Sequence, residues 1–471
     1  RKVELDEDRL CYFDENGCMA FGESLEHGGW YYYDEKTGAQ CRGPVVLPDG
    51  RQVFYSLTNG KMLYGKQTIC GTSFTFNTVN GSRSSGPDGL FWLEWGGKRY
   101  WFESWKRQGY NPYDSSYRGK EIYDPASDAW YWLDNIQNGA MAASKDVYQE
   151  SNGGKWVRYD ENGHMVKGWD VNENGTYYFD QITGAMAKGA LLLDDVQYGF
   201  DPIMGTILDC QWLHTEVGDY WYEGGIRQGT EGRGKEIYDL ASDAWYWLDA
   251  VDNGKKAVSK DVYQESDGGK WVRYDENGHM IKGENCQNGN WYYFEPVTGA
   301  MIHGPWTLPD GRKVYYDLTT GIMQYGNVSI NGSLYYFDPV YGTMKSGALT
   351  NFWGTDGNGK SFWYESWVRQ GWQPGSSNYR GKEIYDPASG AWYWLDNVQQ
   401  GAKATSKEVY QDSNGGKWVR YDANGAMIKG WYAQDGKRWY YDLNTGAMYK
   451  GWSTIDGQTY HFDETTGVLI Q

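Results

Sequence analysis

Tryptophan residues recur in this chain at fixed spacings, and aromatic rings are the side chains best suited here to hold a ligand. Three pairs lie two residues apart, namely Trp130 and Trp132, Trp245 and Trp247, and Trp392 and Trp394. Residues two apart in a β-strand share a face, so each pair could form an aromatic platform. A ring face attracts cations, and it also stacks on the apolar face of a sugar. The pairs therefore predict shallow ligand-binding surfaces.

The elements that carry these rings are repeated. A block of about fifty residues occurs three times without insertion or deletion, over 118–168, 233–283 and 380–430. A shorter unit of roughly twenty residues surrounds the blocks, as in Tyr335-Tyr336-Phe337-Asp338 followed by Gly342-Thr343-Met344. Self-similarity at a short period is typical of arrays in which each repeat contacts its neighbours. Such arrays present many equivalent grooves rather than one deep catalytic pocket.

Each short unit is expected to be a β-hairpin. Alternating aromatic residues favour a strand, and an Asp followed by a Gly favours a turn before a second strand that carries the Met. The predicted turn aspartates are Asp34, Asp160, Asp180, Asp275, Asp338, Asp422, Asp442 and Asp463. One hairpin alone is barely stable in water, so it must stack on the next. The expected fold is all-β: an elongated β-solenoid of stacked β-hairpin repeats with three larger inserted β-rich repeat units.

The repeats divide the chain into seven segments. Short hairpin repeats are predicted over 1–88, 169–210, 284–350 and 431–471, and long units A, B and C over 89–168, 211–283 and 351–430. A single helical turn is expected at Ser144, which could cap the segment that follows it.

Composition excludes several classes of function. The formal net charge is −18, with no basic patch of the kind that nucleic-acid binding requires. Mean hydropathy is −0.76 and no apolar run is long enough for a membrane span. The six cysteines form no Cys-x-x-Cys pair, so we expect no metal site and no cofactor. Cys11 and Cys18 flank one turn and could bridge it, while the other pairings stay open.

No catalytic motif is evident. The chain has no nucleophile elbow, zinc-binding His-Glu pattern, dinucleotide fingerprint or phosphate-binding loop. Carboxylates are plentiful, but a glycoside hydrolase needs two of them across one cleft, and the array singles out no such pair. We therefore expect a non-catalytic region.

The C-terminal residues resemble a known family. The pattern Lys429-Gly430-Trp431, Trp439-Tyr440-Tyr441-Asp442, Gly446-Ala447-Met448 and Gly451-Trp452 is similar to the cell-wall-binding repeat family. That family includes choline-binding modules of Gram-positive surface proteins, glucan-binding repeats of glucosyltransferases and carbohydrate-binding repeats of clostridial toxins. The fifty-residue block is similar to a module found beside such repeats in secreted proteins of gut Firmicutes.

The resemblance implies a secreted or cell-surface protein that attaches to cell-wall choline or to a glycan polymer. In choline-binding members, rings of successive hairpins form a cage for the quaternary ammonium, which suits a cation–π contact worth about 2 kcal/mol when desolvated. The residues that would form this cage here are Trp431, Trp439, Tyr441, Met448 and Trp452. Glycan binding needs only exposed rings, for which the three pairs and the single Trp156, Trp271 and Trp418 are candidates.

Two other functions remain open at this point. The long units could act as an adhesin that presents a repeated surface to a host glycoprotein such as mucin or to an immunoglobulin. The array could also be a spacer that projects another domain from the cell. Both an anchor and an adhesin gain from multivalency, since linked sites raise the effective concentration of the next binding event.

Overall fold

The computed structural model confirms the all-β prediction of repeated hairpins. It describes residues 1–5, 10–150, 153–265, 268–412 and 415–470. The chain divides into two compact parts, the first comprising residues 1–213 and 222–226 and the second 214–221 and 227–471. Within the described ranges, no helix has the length and apolar character needed to cross a membrane.

Antiparallel hairpins account for most of the first part. Their strands are Lys2–Glu4 with Leu10–Tyr12, Gly22–Glu26 with Gly29–Tyr33, Gly43–Val46 with Gln52–Tyr55, Gly65–Ile69 with Thr72–Phe76 and Arg83–Ser85, Lys145–Gln149 with Lys155–Tyr159, Gly168–Asn172 with Gly175–Phe179, and Gly189–Leu193 with Val196–Phe200, which also pairs with Ile226–Arg227. A larger sheet in long unit A combines Leu90–Trp95, Lys98–Glu103, Lys106–Arg107, Ala140–Met141, Ala129–Asp134 and Gly119–Asp124. A 3-10 turn, Asn135–Gln137, follows Ala129–Asp134.

The second part repeats these elements. Its hairpins are Lys260–Gln264 with Lys270–Tyr274, Gly283–Gln287 with Asn290–Phe294, Gly304–Thr307 with Lys313–Tyr316, Gly326–Ile330 with Ser333–Phe337 and Met344–Ser346, Lys407–Gln411 with Lys417–Tyr421, Gly430–Gln434 with Lys437–Tyr441, and Gly451–Ile455 with Gln458–Phe462. The larger sheet of long unit C contains Phe352–Thr355, Ser361–Glu365, Val368–Arg369, Ala402–Lys403, Ala391–Asp396 and Gly381–Asp386.

Long unit B contributes Gly234–Asp239, Ala244–Asp249 and Lys255–Lys256 to the second part. Strands Gln211–Thr215 and Gly218–Glu223 lie where the chain passes between the two parts. Two further 3-10 turns, Ala250–Asp252 and Asn397–Gln399, follow the second strand of their units, as in long unit A.

The predicted aspartates fix turns, but these turns follow the hairpins: the aromatic strand Lys437–Tyr441 pairs with Gly430–Gln434 before it, and Met448, expected on the second strand, forms only an isolated bridge with Tyr441. After strand Lys437–Tyr441, Asp442 Oδ1 accepts the backbone N–H groups of Asn444 and Thr445 at 3.0 and 2.7 Å. The other predicted turn aspartates each accept two backbone N–H groups of their own turns. These bonds replace water for backbone donors that the sharp turn leaves unpaired.

Glycine in the same turn makes room for the methionine of the preceding hairpin. Gly446 has a φ of +67°, and a Cβ there would lie 2.4 Å from Met427 Sδ. Only glycine meets both demands without strain, because other residues rarely adopt that φ and any side chain would displace the sulfur. The Gly-x-Met spacing is thus explained by contact between consecutive hairpins.

Rings at the ends of the second strands form the core of the hairpin stack. Tyr159, Phe179, Tyr421 and Tyr441 are completely buried. Arginine adds a polar connection between hairpins: Arg158 pairs with Asp146 of its own hairpin at 2.7 Å and with Asp170 of the next at 2.8 Å. Hydrogen bonding to Asp146 raises the pKa of Arg158 further, so the connection stays charged. The stack is therefore held by both apolar burial and charge-assisted bonds.

Two local expectations differ from the structure. The helical turn expected at Ser144 is wrong, because Lys145–Gln149 is a strand paired with Lys155–Tyr159; part of the predicted segment, residue 151, lies outside the described residues. The alternation of buried Val147 and Gln149 with exposed Tyr148 has the period of a strand, which outweighs the capping signal. No disulfide joins Cys11 to Cys18, and the other four cysteines are likewise not disulfide-bonded.

Candidate aromatic binding grooves

Eight tryptophans have nearly the same exposure at the same position of their hairpins. Each retains between 38 and 41% of its surface and lies four residues before the acidic residue that begins a turn. They are Trp30, Trp130, Trp156, Trp245, Trp271, Trp291, Trp392 and Trp418. A large apolar ring kept partly exposed at every copy is more typical of a binding surface than of a core.

The following hairpin places a methionine next to each of these rings. The methionine N–H donates to the tryptophan carbonyl at 2.7 to 2.9 Å. The pairs are Trp30–Met62, Trp130–Met165, Trp156–Met186, Trp245–Met280, Trp271–Met301, Trp291–Met323, Trp392–Met427 and Trp418–Met448. We call each pair, with the space beside it, a Trp–Met groove. The groove belongs to the junction of two hairpins and not to either hairpin alone.

Three of the grooves enclose measurable cavities. Their volumes are about 350 Å³ at Trp130 and Met165, 520 Å³ at Trp392 and Met427, and 460 Å³ at Trp418 and Met448. A lysine from the next strand and a threonine from the next turn also line each cavity. In the Trp392 groove these are Lys417 and Thr445, and Lys417 Nζ donates to the Thr445 carbonyl at 2.5 Å. The lysine is thereby tethered at the rim.

A tyrosine on the paired strand packs against the groove tryptophan in six hairpins. The ring centroids of tyrosine and tryptophan are 5.2 to 5.4 Å apart. The pairs are Tyr123–Trp130, Tyr148–Trp156, Tyr238–Trp245, Tyr263–Trp271, Tyr385–Trp392 and Tyr410–Trp418. Directly opposed residues of an antiparallel pair are close enough for such contacts. The tyrosine supports the tryptophan, while the tryptophan ring and the methionine line the cavity, which suits a small cation or a sugar.

A carboxylate accompanies the first groove of each long unit. Glu121 lines the Trp130 cavity, where Gln149 Nε2 donates to its carboxylate at 2.7 Å and the Tyr159 hydroxyl donates to it at 3.1 Å. The same contacts hold Glu236 and Glu383. Among the described residues Glu121 has no ion pair, so its negative charge faces the groove without a fixed counter-ion.

The predicted tryptophan pairs do not form platforms. Trp130, Trp245 and Trp392 are exposed as described, but their partners Trp132, Trp247 and Trp394 retain only 4 to 6% of their surface. Trp132 packs with Val147, Val157 and Tyr159 of the hairpin that follows. The next hairpin covers the second half of strand Ala129–Asp134, so Trp132 is buried while Trp130 stays exposed.

The five residues of the predicted C-terminal cage do not line one cavity. Trp439 and Met448 line the groove of Trp418, whereas Tyr441 is completely buried. Trp431 packs between Tyr440 and Tyr460, at 5.1 and 5.0 Å between ring centroids.

Trp452 is 65% exposed and stacks on His461 at 4.3 Å. Ligand contact by this set remains a prediction.

Sequence reasoning did not single out Trp30 and Trp291, nor the tyrosines opposite the groove tryptophans. The signal that identifies them is a tryptophan four residues before a turn-forming acid, as Trp291 precedes Glu295. This spacing also occurs at Trp431 and Asp435, where no methionine closes a groove, so it is useful only with the following Gly-x-Met. Among the described residues no cluster of His, Cys, Asp or Glu is placed to hold a metal ion.

Comparison with known proteins finds one family model that matches three segments of the chain. The choline-binding repeat model matches residues 150–190, 265–306 and 411–450. Each matched segment contains one complete groove, formed by Trp156 and Met186, Trp271 and Met301, or Trp418 and Met448.

Glucosyltransferase-I of Streptococcus downei is 26% identical over 319 residues, which are 65% of this chain and 18% of that protein. The chain spans less than a fifth of the length of the curated relatives it matches. Among solved structures, choline-binding protein F of Streptococcus pneumoniae, crystallised with a peptidoglycan analogue, shares 19% identity. The match covers 82% of this chain and 100% of that one, with a TM-score of 0.24. The choline-binding domain of CbpL from the same species shares 21% identity over 45% of this chain and 96% of that one, with a TM-score of 0.29.

Proposed function

We propose that the chain is a binding array for bacterial cell-wall polymer, on the premise that three of its segments match the choline-binding repeat model. Each Trp–Met groove would take one choline head group or one sugar unit of the polymer. We further propose that the protein acts outside the cell, secreted or attached to the cell surface.

The repetition of one groove geometry carries the proposal. Eight tryptophans share an exposure of 38 to 41%, and each accepts a backbone hydrogen bond from the methionine of the next hairpin. A single aromatic contact with a cation is worth only about 0.5–2 kcal/mol, so one groove binds weakly. A polymer that repeats its head group can occupy several grooves at once, and avidity can then exceed single-site affinity by about 10²–10⁴-fold.

The chemistry of the long-unit grooves favours a cationic head group. Trp130 and Met165 supply a ring and a thioether, and Glu121 adds a carboxylate without an ion pair among the described residues. Lys155 lines the same cavity, but its ammonium donates to the Thr183 carbonyl at the rim. A quaternary ammonium suits this cavity because the Trp130 ring face and the carboxylate attract it and it loses little hydration.

We propose that this region binds without catalysis. The cavities of the Trp130, Trp392 and Trp418 grooves are each lined by a single carboxylate, Glu121, Glu383 or Glu408. Hydrolysis of a glycosidic bond requires two carboxylates facing each other across the bond. Binding to a host glycoprotein or immunoglobulin is not favoured, since the long units carry the same grooves that lie in the choline-binding repeats.

The test is retention of the whole chain on choline resin, with purified Gram-positive cell walls and dextran as parallel supports. Replacing Trp156, Trp271 and Trp418 by Ala should lower retention by choline or cell walls at least about tenfold, because three of the linked sites are lost. Trp452→Ala is the matched control, since its exposed ring lies outside every groove. Unchanged retention of the triple variant would falsify the proposal.

A further inference from the structure

Long unit C contains a cavity that borders the Trp418 groove, with Trp418, Tyr410 and Glu408 in its lining, but whose other walls belong to no groove. It has a volume of about 600 Å³, which lies within the range of about 300–1,000 Å³ typical of small-molecule sites. Its walls are the loop 372–380, the end of strand Ala391–Asp396, strand Lys407–Gln411 and the turn at Thr298. We call it the loop cavity, and we infer that it binds a neutral saccharide.

The loop that forms its outer wall is held in place by one side chain. Asn397 Oδ1 accepts the backbone N–H of Gln373 at 2.7 Å, and its Nδ2 donates to the carbonyls of Ser376 and Tyr379 at 3.2 and 2.8 Å. Three bonds from one amide fix both ends of the loop. The wall is therefore formed before any ligand arrives, which reduces the entropy cost of binding.

The lining combines ring faces with hydrogen-bonding groups. Trp372, Tyr379 and Trp394 present aromatic surface, and Gln373, Ser376 and Ser377 present amide and hydroxyl groups. The Trp372 ring is itself held, with the Arg369 guanidinium 5.2 Å and the Trp306 ring 6.1 Å from its centroid. Apolar ring faces beside amide and hydroxyl groups match a sugar, whose ring hydrogens form an apolar face and whose hydroxyls point outward.

The charges of the lining favour a neutral ligand. All four charged side chains that line the cavity have an ionic partner. The pairs are Arg380–Asp412 at 3.7 Å, Glu408–Arg420 at 2.7 Å, and Asp396 with Lys407, both of which line the cavity. A charged ligand would lose its hydration on entering the cavity and would find no unpaired charge of opposite sign there, so its binding would cost free energy. A polyhydroxylated neutral molecule meets no such cost.

The other long units show that the cavity is not a by-product of the repeat. Gly375 occupies the loop position that Tyr113 occupies in long unit A. Tyr113 reaches the equivalent turn there: its hydroxyl donates to Asp34, and Lys36 Nζ lies 4.2 Å over its ring. At Gly375 a Cβ would already lie 2.8 Å from Val297 Cγ1, so the loop packs against this turn through its backbone and has no room there for a side chain such as that of Tyr113.

Long unit B lacks the wall altogether. Between Gly229 and Arg233 it has five fewer residues than long unit C has between Gly371 and Arg380, and Ala250 stands where Asn397 holds the loop. The chain thus contains three versions: a loop with Tyr113 that lines a cavity of about 510 Å³ beside the turn at Asp34 and Thr37, a unit without the loop, and the loop cavity of long unit C. These sequences provide matched replacements that are already compatible with the fold.

The experiment measures sugar binding to the full chain by titration calorimetry, using isomaltotriose, maltotriose and N,N′-diacetylchitobiose. One of the three should bind at a single site per chain with a Kd below about 10 mM. In the first variant, residues 110–117 of long unit A replace residues 372–379. In the second, residues 230–232 of long unit B replace the same segment, together with Asn397→Ala. Each variant should weaken binding at that site at least about tenfold. Gln373→Ala, which removes only a side chain, should weaken it several-fold.

Choline-resin retention of the same variants separates this inference from the proposed function. The loop exchanges should leave retention unchanged, and Trp130→Ala should leave the single sugar site unchanged. No binding by any of the three sugars, or binding that survives both exchanges, would overturn the loop cavity as a saccharide site. Loss of sugar binding in Trp130→Ala would also overturn it, because the sugar would then occupy a groove.

Discussion

Trp418 and Trp431 lie thirteen residues apart in the chain, and the structure gives their rings opposite surroundings. Trp418 is 40% exposed, packs against Tyr410 of the paired strand and lines an open cavity together with Met448 from the next hairpin. Trp431 is half-buried between Tyr440 and Tyr460, and the Arg438 guanidinium lies 4.5 Å over its ring. The second ring is already paired with a cation of its own chain. Aromatic density alone therefore does not identify a site; a free ring face does.

The largest expected effect separates these two kinds of ring. Replacing the six long-unit tryptophans Trp130, Trp156, Trp245, Trp271, Trp392 and Trp418 by Ala should lower affinity for choline-bearing cell walls about 100-fold or more, because most of the linked grooves are lost. Replacing Trp431, Trp439 and Trp452 by Ala should change this affinity by less than about threefold, because of these three residues only Trp439 lines a groove. Surface plasmon resonance on immobilised cell walls measures both. A larger loss in the C-terminal variant would reverse the comparison and favour the predicted cage.

Gly446→Ala tests whether the position of Met427 depends on the absence of a side chain at residue 446. The substitution places a Cβ 2.4 Å from Met427 Sδ at a φ of +67°, so we expect a loss of about 1–3 kcal/mol in stability and a disturbed Trp392 groove. Thermal unfolding followed by circular dichroism measures the first effect. Gly436→Ala, at a similar φ with no neighbouring atom within 4 Å, controls for backbone strain alone. Equal destabilisation of the two variants would contradict a role for the sulfur contact.

Arg438 offers a way to convert one kind of ring into the other. Arg438→Ala removes the cation over Trp431 and should raise affinity for choline two- to fivefold, since a cation–π contact is worth about 0.5–1 kcal/mol at an exposed site. The reverse change is available at Trp169, which lies between Tyr178 and Tyr198 with the same ring distances of 5.1 Å. Thr176 stands there in place of Arg438, so Thr176→Arg should lower affinity by a similar factor. Isothermal titration with choline measures both affinities. If both substitutions raised the affinity, or both lowered it, the arginine would not control access to the ring.

The smallest effect concerns a framework residue outside the grooves. Burial lowers the pKa of His303 below its ordinary value of 6.5, so the folded protein holds this imidazole neutral. Below pH 6.5 the unfolded chain binds a proton that the folded chain does not, and stability falls as the pH drops. Lowering the pH from 7 to 5 should therefore reduce the unfolding temperature by about one or two degrees more in the wild type than in His303→Gln. An identical pH dependence in both would contradict this assignment.

The hairpins could be predicted because their information is local. The aromatic run before Asp442, the Asp itself and Gly446-Ala447-Met448 lie within a dozen residues, and they determine a strand, the turn after it and the bridge from Met448 to Tyr441. The expected return strand at Met448 is wrong, because the aromatic run pairs with Gly430–Gln434 before it. The helical turn predicted at Ser144 is wrong because the strand period that follows the capping residue outweighs the capping signal.

The site could be predicted only in part, because it depends on contacts between hairpins. Nothing within the strand Ala129–Asp134 distinguishes exposed Trp130 from buried Trp132, since both have the same face and type. The difference arises from the next hairpin, which covers Trp132 and places Met165 beside Trp130. Likewise, Arg438 reaches Trp431 across the hairpin, a contact that spacing along one strand does not reveal.

The hydrogen bond from each methionine N–H to the tryptophan before it has an evolutionary consequence. Duplicating one hairpin inside a run adds one junction, and deleting one removes one, while every other junction keeps its own pair of neighbours. Valency can therefore change in whole steps by recombination between near-identical gene segments, with no new residue required. Affinity for a polymer would then change through the number of hairpins before it changes through point mutation.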